Sequence, residues 1–223
     1  MKPSLILASL FLLLAIACTK KNNTNITPIN SSLQSCFNFK QGSYWIYRDS
    51  LTGLMDSAYV AGYTTYASQL SCVLRANLPY FQVTLISIKV NDGNPSDSEV
   101  WNLTLIDTTF TLSLVKWKNQ VETELQLQPF TYPFKTGNST NIIDGCLLYA
   151  DSGYVPNIST MNLNNQDFAN TAQFNHQGRS NTGYVYDDCF YLCPGTGFIK
   201  VAFNQPIDSD YRVLELQRYK IVK

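Results

Sequence analysis

The 223-residue chain balances 16 basic against 16 acidic residues, with 45% hydrophobic, 13% aromatic and only 14% charged positions. That profile excludes a disordered chain, which would be richer in charge and poorer in rings, and it supplies no basic stripe for nucleic acid. The length suits one sizeable β domain.

Residues 1–17 read as a secretory signal: Lys2, an apolar run from Leu5 to Ile16, then small Ala17. The run falls short of the roughly 20 apolar residues a permanent span needs. Ala15-Ile16-Ala17-Cys18 resembles the bacterial lipoprotein signal, with Ala15 where Leu is commoner. The resemblance implies that Cys18 becomes the lipid-modified first residue, anchored by more than one acyl chain. The alternative is an ordinary signal cleaved after Ala17. By the same resemblance, Thr19 in place of Asp sends the protein to the outer membrane. Lys20-Lys21, without an acidic cluster, favours its periplasmic side. No later apolar segment approaches spanning length, so the lipid is the expected contact with the membrane.

Residues 18–35 form the lipidated Cys and a tether. Thr19 to Gln34 is rich in Asn, Ser and Thr and is expected to be flexible, with a reach of about 20–24 Å. A single domain is expected over 36–223. It opens on the aromatic, alternating stretch Ser43-Tyr44-Trp45-Ile46-Tyr47-Arg48, turns at Asp49-Ser50-Leu51-Thr52-Gly53 and returns from Met55 to Tyr63. Strands follow at Tyr80 to Val90, Glu99 to Asp107, Phe110 to Trp117 and Val121 to Gln128. Loop chemistry then runs from Pro129 to Thr140. Short apolar pieces lie at Cys146 to Ala150, Val155 to Leu163 and Phe168 to Phe174, and Gln177 to Thr182 is polar. Phe190 to Asn204 and Tyr211 to Val222 close the pattern. Asn164 to Gln173 is the place where one short helix fits best. The fold class is all-β: an antiparallel meander forming a curved sheet or incomplete barrel, with at most one short helix.

Two stretches carry a further resemblance. Lys40-Gln41-Gly42-Ser43-Tyr44-Trp45-Ile46-Tyr47 is one; Tyr191 to Lys200 with its Gly195-Thr196-Gly197, followed by Glu215 to Ile221, is the other. They resemble the two ends of many small, uncharacterised envelope lipoproteins of Gram-negative bacteria. More distantly, these are similar to half-barrel carriers that move lipoproteins through the periplasm. The resemblance implies an open, curved antiparallel sheet and brings no catalytic residues. On their own chemistry Gly42, Gly195 and Gly197 fit bulges or close backbone approaches. Gly195-Thr196-Gly197 is not a phosphate loop, since no helix follows it.

Candidate chemistry is sparse. Of six cysteines, Cys18 is taken by the anchor. An oxidising compartment makes disulfides plausible for the rest. A hairpin centred near Leu51–Gly53 brings Cys36 within a short offset of Cys72, so Cys36–Cys72 is the candidate disulfide. Cys189 and Cys193 in one extended strand would stand about 13 Å apart, beyond the roughly 7 Å that a bridge allows. His176 is the single histidine and reads as a polar loop residue, so neither a zinc site nor a catalytic triad is expected. Adjacent Asp187 and Asp188 would point to opposite faces and cannot share a proton. Asp92, Asn94 and Asp97 read as a solvated turn rather than a calcium loop. Asp49-Ser50-Leu51, Asp56-Ser57-Ala58 and Asp107-Thr108-Thr109 resemble a bacterial O-glycosylation sequon, which makes Ser50, Ser57 and Thr108 candidate modification sites. No metal and no cofactor are expected.

The expected role is that of a membrane-tethered, non-enzymatic binding module for an apolar ligand or an unidentified protein. Trp45, Tyr47, Tyr80, Phe81, Trp101 and Trp117 would serve either the core or a pocket, and the core is the simpler assignment. The alternatives are a scaffold subunit of an outer-membrane complex, using a sheet edge for strand addition, and a hydrolase with an unrecognised site.

Overall fold

The computed structural model describes residues 25–69, 80–91, 98–118, 121–126, 130–139, 142–143, 146–147, 153–179, 185–204 and 211–223. After β1 (Ile26–Thr27) and α1 (Ser31–Phe37), a first meander runs through β2 (Tyr44–Asp49), β3 (Met55–Gln69), β4 (Tyr80–Asn91), β5 (Ser98–Ile106), β6 (Thr109–Lys118) and β7 (Val121–Gln126). β8 (Phe130–Thr131), β9 (Gly137–Ser139), β10 (Ile142–Ile143) and β11 (Cys146–Leu147) lead to a second meander. This consists of β12 (Gly153–Leu163), β13 (Gln166–Arg179), β14 (Val185–Cys193), β15 (Gly197–Ala202) and β16 (Val213–Lys220). Antiparallel pairing of β16 with β2 joins the two meanders into one sheet, ordered β7-β6-β5-β4-β3-β2-β16-β15-β14-β13-β12-β9. The fold is the all-β, curled half-barrel that the strand pattern implies.

Alternation along each strand decides which face is buried. In β2, Trp45 and Tyr47 are 1% exposed while Tyr44 and Ile46 between them are half-buried. Trp101, Leu103 and Leu105 of β5, Leu112 and Leu114 of β6, and Phe174, Phe190 and Val201 across the second meander line the same concave face. The sheet curls far enough for rings from its two meanders to meet across the concave face. Phe130 of β8 lies 4.3 Å from Phe174 of β13, centroid to centroid, and Phe134 packs edge-on against Phe174 at 5.1 Å.

One end of the half-barrel is closed by α1. Asn30 caps it, its side chain accepting from Ser32 and Leu33 N–H, and Leu33 and Phe37 bury the inward face. Phe37 packs against Phe110 at 5.4 Å and Tyr132 at 5.7 Å. Residues 25–35 therefore belong to the folded body rather than to the tether. β1 lies parallel to β4, Ile29 is buried, and the Asn30 N–H donates to Asp107 O at 2.7 Å. The polar composition hid this helix because seven residues with two apolar positions four apart carry too short a period to detect. The helix expected at Asn164 to Gln173 is instead a hairpin between β12 and β13. Asn164 and Asn165 both adopt positive φ (51° and 61°), which a tight I′-type turn requires and Asn tolerates.

Gly197 shows why the glycines sit where they do. It has φ +97°, and a Cβ there would stand 3.1 Å from Trp45 Nε1 and 3.4 Å from Phe39 Cζ. The bare backbone lets Trp45 donate to Thr196 O at 2.6 Å. Gly195 occupies the turn between β14 and β15 rather than a strand interior. Beside this end, the Ser43 hydroxyl accepts from Val222 N–H at 2.9 Å, clasping the start of β2 to the segment after β16.

The turn between β2 and β3 is organised by Asp49, which is 3% exposed. Its carboxylate accepts from Leu51 N–H (3.1 Å), the Thr52 hydroxyl (2.6 Å) and Val213 N–H (3.0 Å). Burial works to raise its pKa, but these hydrogen bonds prevail and hold it below the usual carboxylate value. A depressed folded-state pKa stabilises the fold above the unfolded value of about 3.9, and that stability is lost as pH falls through the depressed one. Asp49→Asn is expected to flatten this acid limb and to lower stability at neutral pH. Urea midpoints across an acid-to-neutral series measure it, and identical pH profiles for the two proteins would refute the assignment.

Candidate functional site

The end of the half-barrel opposite α1 carries charge. Glu99 at the start of β5 is 7% exposed and Asp56 at the start of β3 is 4% exposed. Arg212, just before β16, reaches both: Nη2 lies 2.7 Å from Glu99 Oε2 and Nη1 lies 3.5 Å from Asp56 Oδ2. The second oxygen of Glu99 accepts from Trp101 Nε1. Phe203 supplies a ring face to two cations, with Lys116 Nζ 4.1 Å and Arg212 Cζ 5.0 Å from its centroid. Both Glu99 oxygens are held by donors inside the wall, so the cluster ties β3, β5 and β16 together rather than offering a poised acid or base.

The concave face behind it is filled by core side chains. Trp45, Tyr47 and Trp101 are buried there, with Trp101 edge-on to Phe198 at 5.4 Å and Tyr47 donating to Phe198 O at 2.7 Å. Phe81 is instead buried in a separate small cluster with Val83 and Ile106. Burial pushes the Tyr47 phenol far up, so it stays a donor at any physiological pH. Tyr80 is half-buried. For the residues described here, the core-or-pocket question resolves as core.

A groove of about 400 Å³ lies on the outer face of the second meander. Its lining comes from β12 (Asn157, Ser159, Thr160, Met161, Asn162), β13 (Thr171, Gln173) and β14 (Tyr191). The register places Asn157 beside Gln173 and Gln173 beside Tyr191, so three polar side chains stand in one row across three strands. A register shift between Ser159 and Met161, with Asn170 opposite at φ +55°, bends the strand pair there and accounts for a depression on a sheet face. Thr171 is 3% exposed and anchors one side by donating to Phe168 O at 2.9 Å. Gln173 Nε2 donates to Asn175 Oδ1 (3.0 Å), and Asn157 Nδ2 donates to Ser159 Oγ (3.4 Å). The Tyr191 phenol is pushed up to about 12, first by burial and then by its hydrogen bond with Cys189, so it is protonated at neutral pH. The row continues into the Lys200–Glu215 ion pair at 2.7 Å.

Cys18 and Cys72 lie outside the described residues, as do Asp92, Asn94 and Asp97. Cys36 carries a thiol hydrogen-bonded with the Tyr132 hydroxyl at 3.1 Å, and this pairing, with burial, pushes the phenol up to about 12. Cys189 and Cys193 fall on β14, as one extended strand requires, and burial raises the Cys193 thiol. Ser50 is exposed in the β2–β3 turn, whereas Ser57 on β3 and Thr108 after β5 are half-buried. His176 belongs to β13, in register with Asp188, rather than to a loop. Among the described residues no group of three or more His, Cys, Asp or Glu is arranged to hold a metal ion, and no helix is long and apolar enough to cross a membrane.

The groove was not foreseen, because Val155 to Leu163 reads first as an apolar piece. The signal was there in the alternation of Asn157 and Ser159 with Ile158. Comparison with protein-family models, with curated proteins and with solved structures finds no match to this chain.

Proposed function

We propose that this chain is a membrane-tethered lipoprotein that acts as a non-enzymatic binding module, held at the outer membrane by Cys18 and facing the periplasm. The observation that carries the binding half of this reading is the groove across β12, β13 and β14. It is a preshaped concavity with convergent hydrogen-bonding side chains, within the roughly 300–1,000 Å³ of small-molecule sites. The anchoring half rests on the signal and on Cys18. With residues 25–35 folded onto the sheet, the tether shortens to 18–24, which spans at most about 25 Å. The bound molecule is therefore presented close to the membrane.

Cys18→Ser is expected to leave the membrane fraction on alkaline washing while keeping a wild-type unfolding midpoint. A variant that stays in the washed membrane pellet would refute the anchor. For binding, native mass spectrometry of protein released gently from membranes is expected to show a small-molecule adduct that Tyr191→Ala loses. Protein that carries no adduct, or an adduct indifferent to Tyr191, would refute the groove as the binding site.

A scaffold role is the second reading, favoured by the tip of the β2–β3 hairpin. Leu51, Leu54 and Met55 remain 64%, 65% and 53% exposed on a turn that Asp49 holds rigid. A stoichiometric protein partner retained in detergent-solubilised membranes, and lost on replacing Leu54 by Ser, would select it.

A further inference from the structure

The chemistry of the groove narrows its ligand. Its lining holds no Lys, Arg, Asp or Glu. Farther along the row Lys200 and Glu215 neutralise one another at 2.7 Å, and at the rim the Asp167 carboxylate accepts from Asn162 Nδ2 at 2.6 Å. A phosphate, carboxylate or nucleic-acid ligand would find no counter-charge there. Met161 is the one aliphatic side chain among eight, too little apolar surface for an acyl chain. An extended peptide adding as a strand needs unpaired backbone groups. The floor of the groove is already committed, since β13 is laddered to β12 on one side and to β14 on the other. Beyond Val155, β12 pairs only with β13 among the described residues, so a strand added at that edge would lie beside the groove rather than in it.

What the lining offers is a set of groups that both donate and accept. Asn157, Asn162 and Gln173 carry primary amides, and Ser159, Thr160 and Thr171 carry hydroxyls. A primary amide has two N–H donors and a carbonyl with two lone pairs, so the single bonds that Asn157 and Gln173 make within the wall leave capacity for a ligand. Such groups match a ligand whose own groups are hydroxyls. At the β14 side stands the half-buried ring of Tyr191, a flat apolar face with a protonated hydroxyl at its rim. A sugar ring has these two aspects: a rim of hydroxyls and a face of C–H bonds.

We propose that the groove binds a neutral oligosaccharide, with Tyr191 as the stacking platform and Asn157 and Gln173 as the hydrogen-bonding rail. This rests on the binding-module reading and deepens it. Asn157 and Gln173 adjoin across the ladder, and Gln173 adjoins Tyr191, so rail and platform form one continuous track perpendicular to the strands. Neighbouring strands are spaced about 4.8 Å apart, so a chain laid across three of them meets a new side chain at each step.

The test uses the full chain purified from membranes in a phosphocholine detergent, which carries no sugar. Side-chain amide resonances are followed by NMR during titration with maltohexaose, cellohexaose and chitohexaose. An acidic oligogalacturonate and the uncharged peptide Gly-Ser-Asn-Gln-Gly serve as controls. At least one neutral oligosaccharide is expected to move the Asn157 and Gln173 resonances saturably, with the galacturonate weaker. Tyr191→Ala is expected to lose about tenfold in affinity, the effect of truncating one contact worth about 1.4 kcal/mol, while Tyr191→Phe keeps most of it. The exposed substitution Asn157→Ala gives the same readout without disturbing the packed face. If no neutral oligosaccharide moves these resonances but the peptide does, the glycan assignment falls and the binding module stands. If none of the probes moves them, the glycan assignment falls, and the adduct experiment above judges the module separately.

Discussion

Arg212→Met is expected to cost about 3–5 kcal/mol of folding stability, the penalty for removing one partner from a buried ion pair. The guanidinium reaches both Glu99 and Asp56, which sit 7% and 4% exposed in the wall. Without it the two carboxylates lose the attraction of this guanidinium while their desolvation is undiminished. Met keeps most of the side-chain volume, which separates the charge effect from packing, although the contact with the Phe203 ring also weakens. Urea unfolding measures the loss. Adding Glu99→Gln and Asp56→Asn to Arg212→Met is expected to recover most of it, because the amides carry no charge and Gln can still accept from Trp101 Nε1. A triple variant as unstable as the single one would show that Arg212 acts through packing, not charge.

Trp101→Ala is expected to cost a further 3–5 kcal/mol in its own right, as large aromatic truncations in cores do. The indole is 1% exposed, lies in register between Ile88 of β4 and Leu114 of β6, and meets the rings of Phe198 (5.4 Å) and Tyr47 (6.1 Å). It thus spans the concave face, touching both meanders. Its truncation opens a cavity beside the seam where β2 meets β16 and removes one of the two donors that hold Glu99. The two substitutions share Glu99, so their costs should not add, and a coupling of about 0.5–3 kcal/mol is expected from the double-mutant cycle. Additivity to within about 0.5 kcal/mol would rule out the shared carboxylate as the link.

Much of the architecture was legible in advance for one physical reason: a strand with one buried face writes its alternation into the residues. Trp45 and Tyr47 against Tyr44 and Ile46 is the plainest case, and the strands from Tyr80 to Gln126 follow within a residue or two at each end. The helix was illegible because Asn30 to Phe37 commits only Leu33 and Phe37 to the core, and its stability comes from the rings that Phe37 meets. The Asn164-Asn165 turn was misread because Asn occurs in both helix-flanking and left-handed positions, and only pairing across β12 and β13 decides between them. The groove was illegible for a deeper reason. Asn157, Gln173 and Tyr191 are remote in the chain and become a row only through register. The same holds for Glu99 and Arg212, 113 residues apart.

The clasp between Ser43 and Val222 spans 179 residues, and the β2–β16 seam beside it is nearly as long-range. A chain delivered from its N-terminus, from a ribosome or through a translocation pore, makes β2 long before its partner β16. Until β16 arrives, β2 can pair only with β3, its other edge stays open, and the indole of Trp45 lacks the Thr196 carbonyl that receives its N–H. Contacts this distant in sequence are slow to form, and an open edge beside aromatic rings invites pairing with the wrong chain. The chain that has made β2 but not yet β16 is therefore the vulnerable species, and demand for chaperones should peak just before β16 is delivered rather than after it.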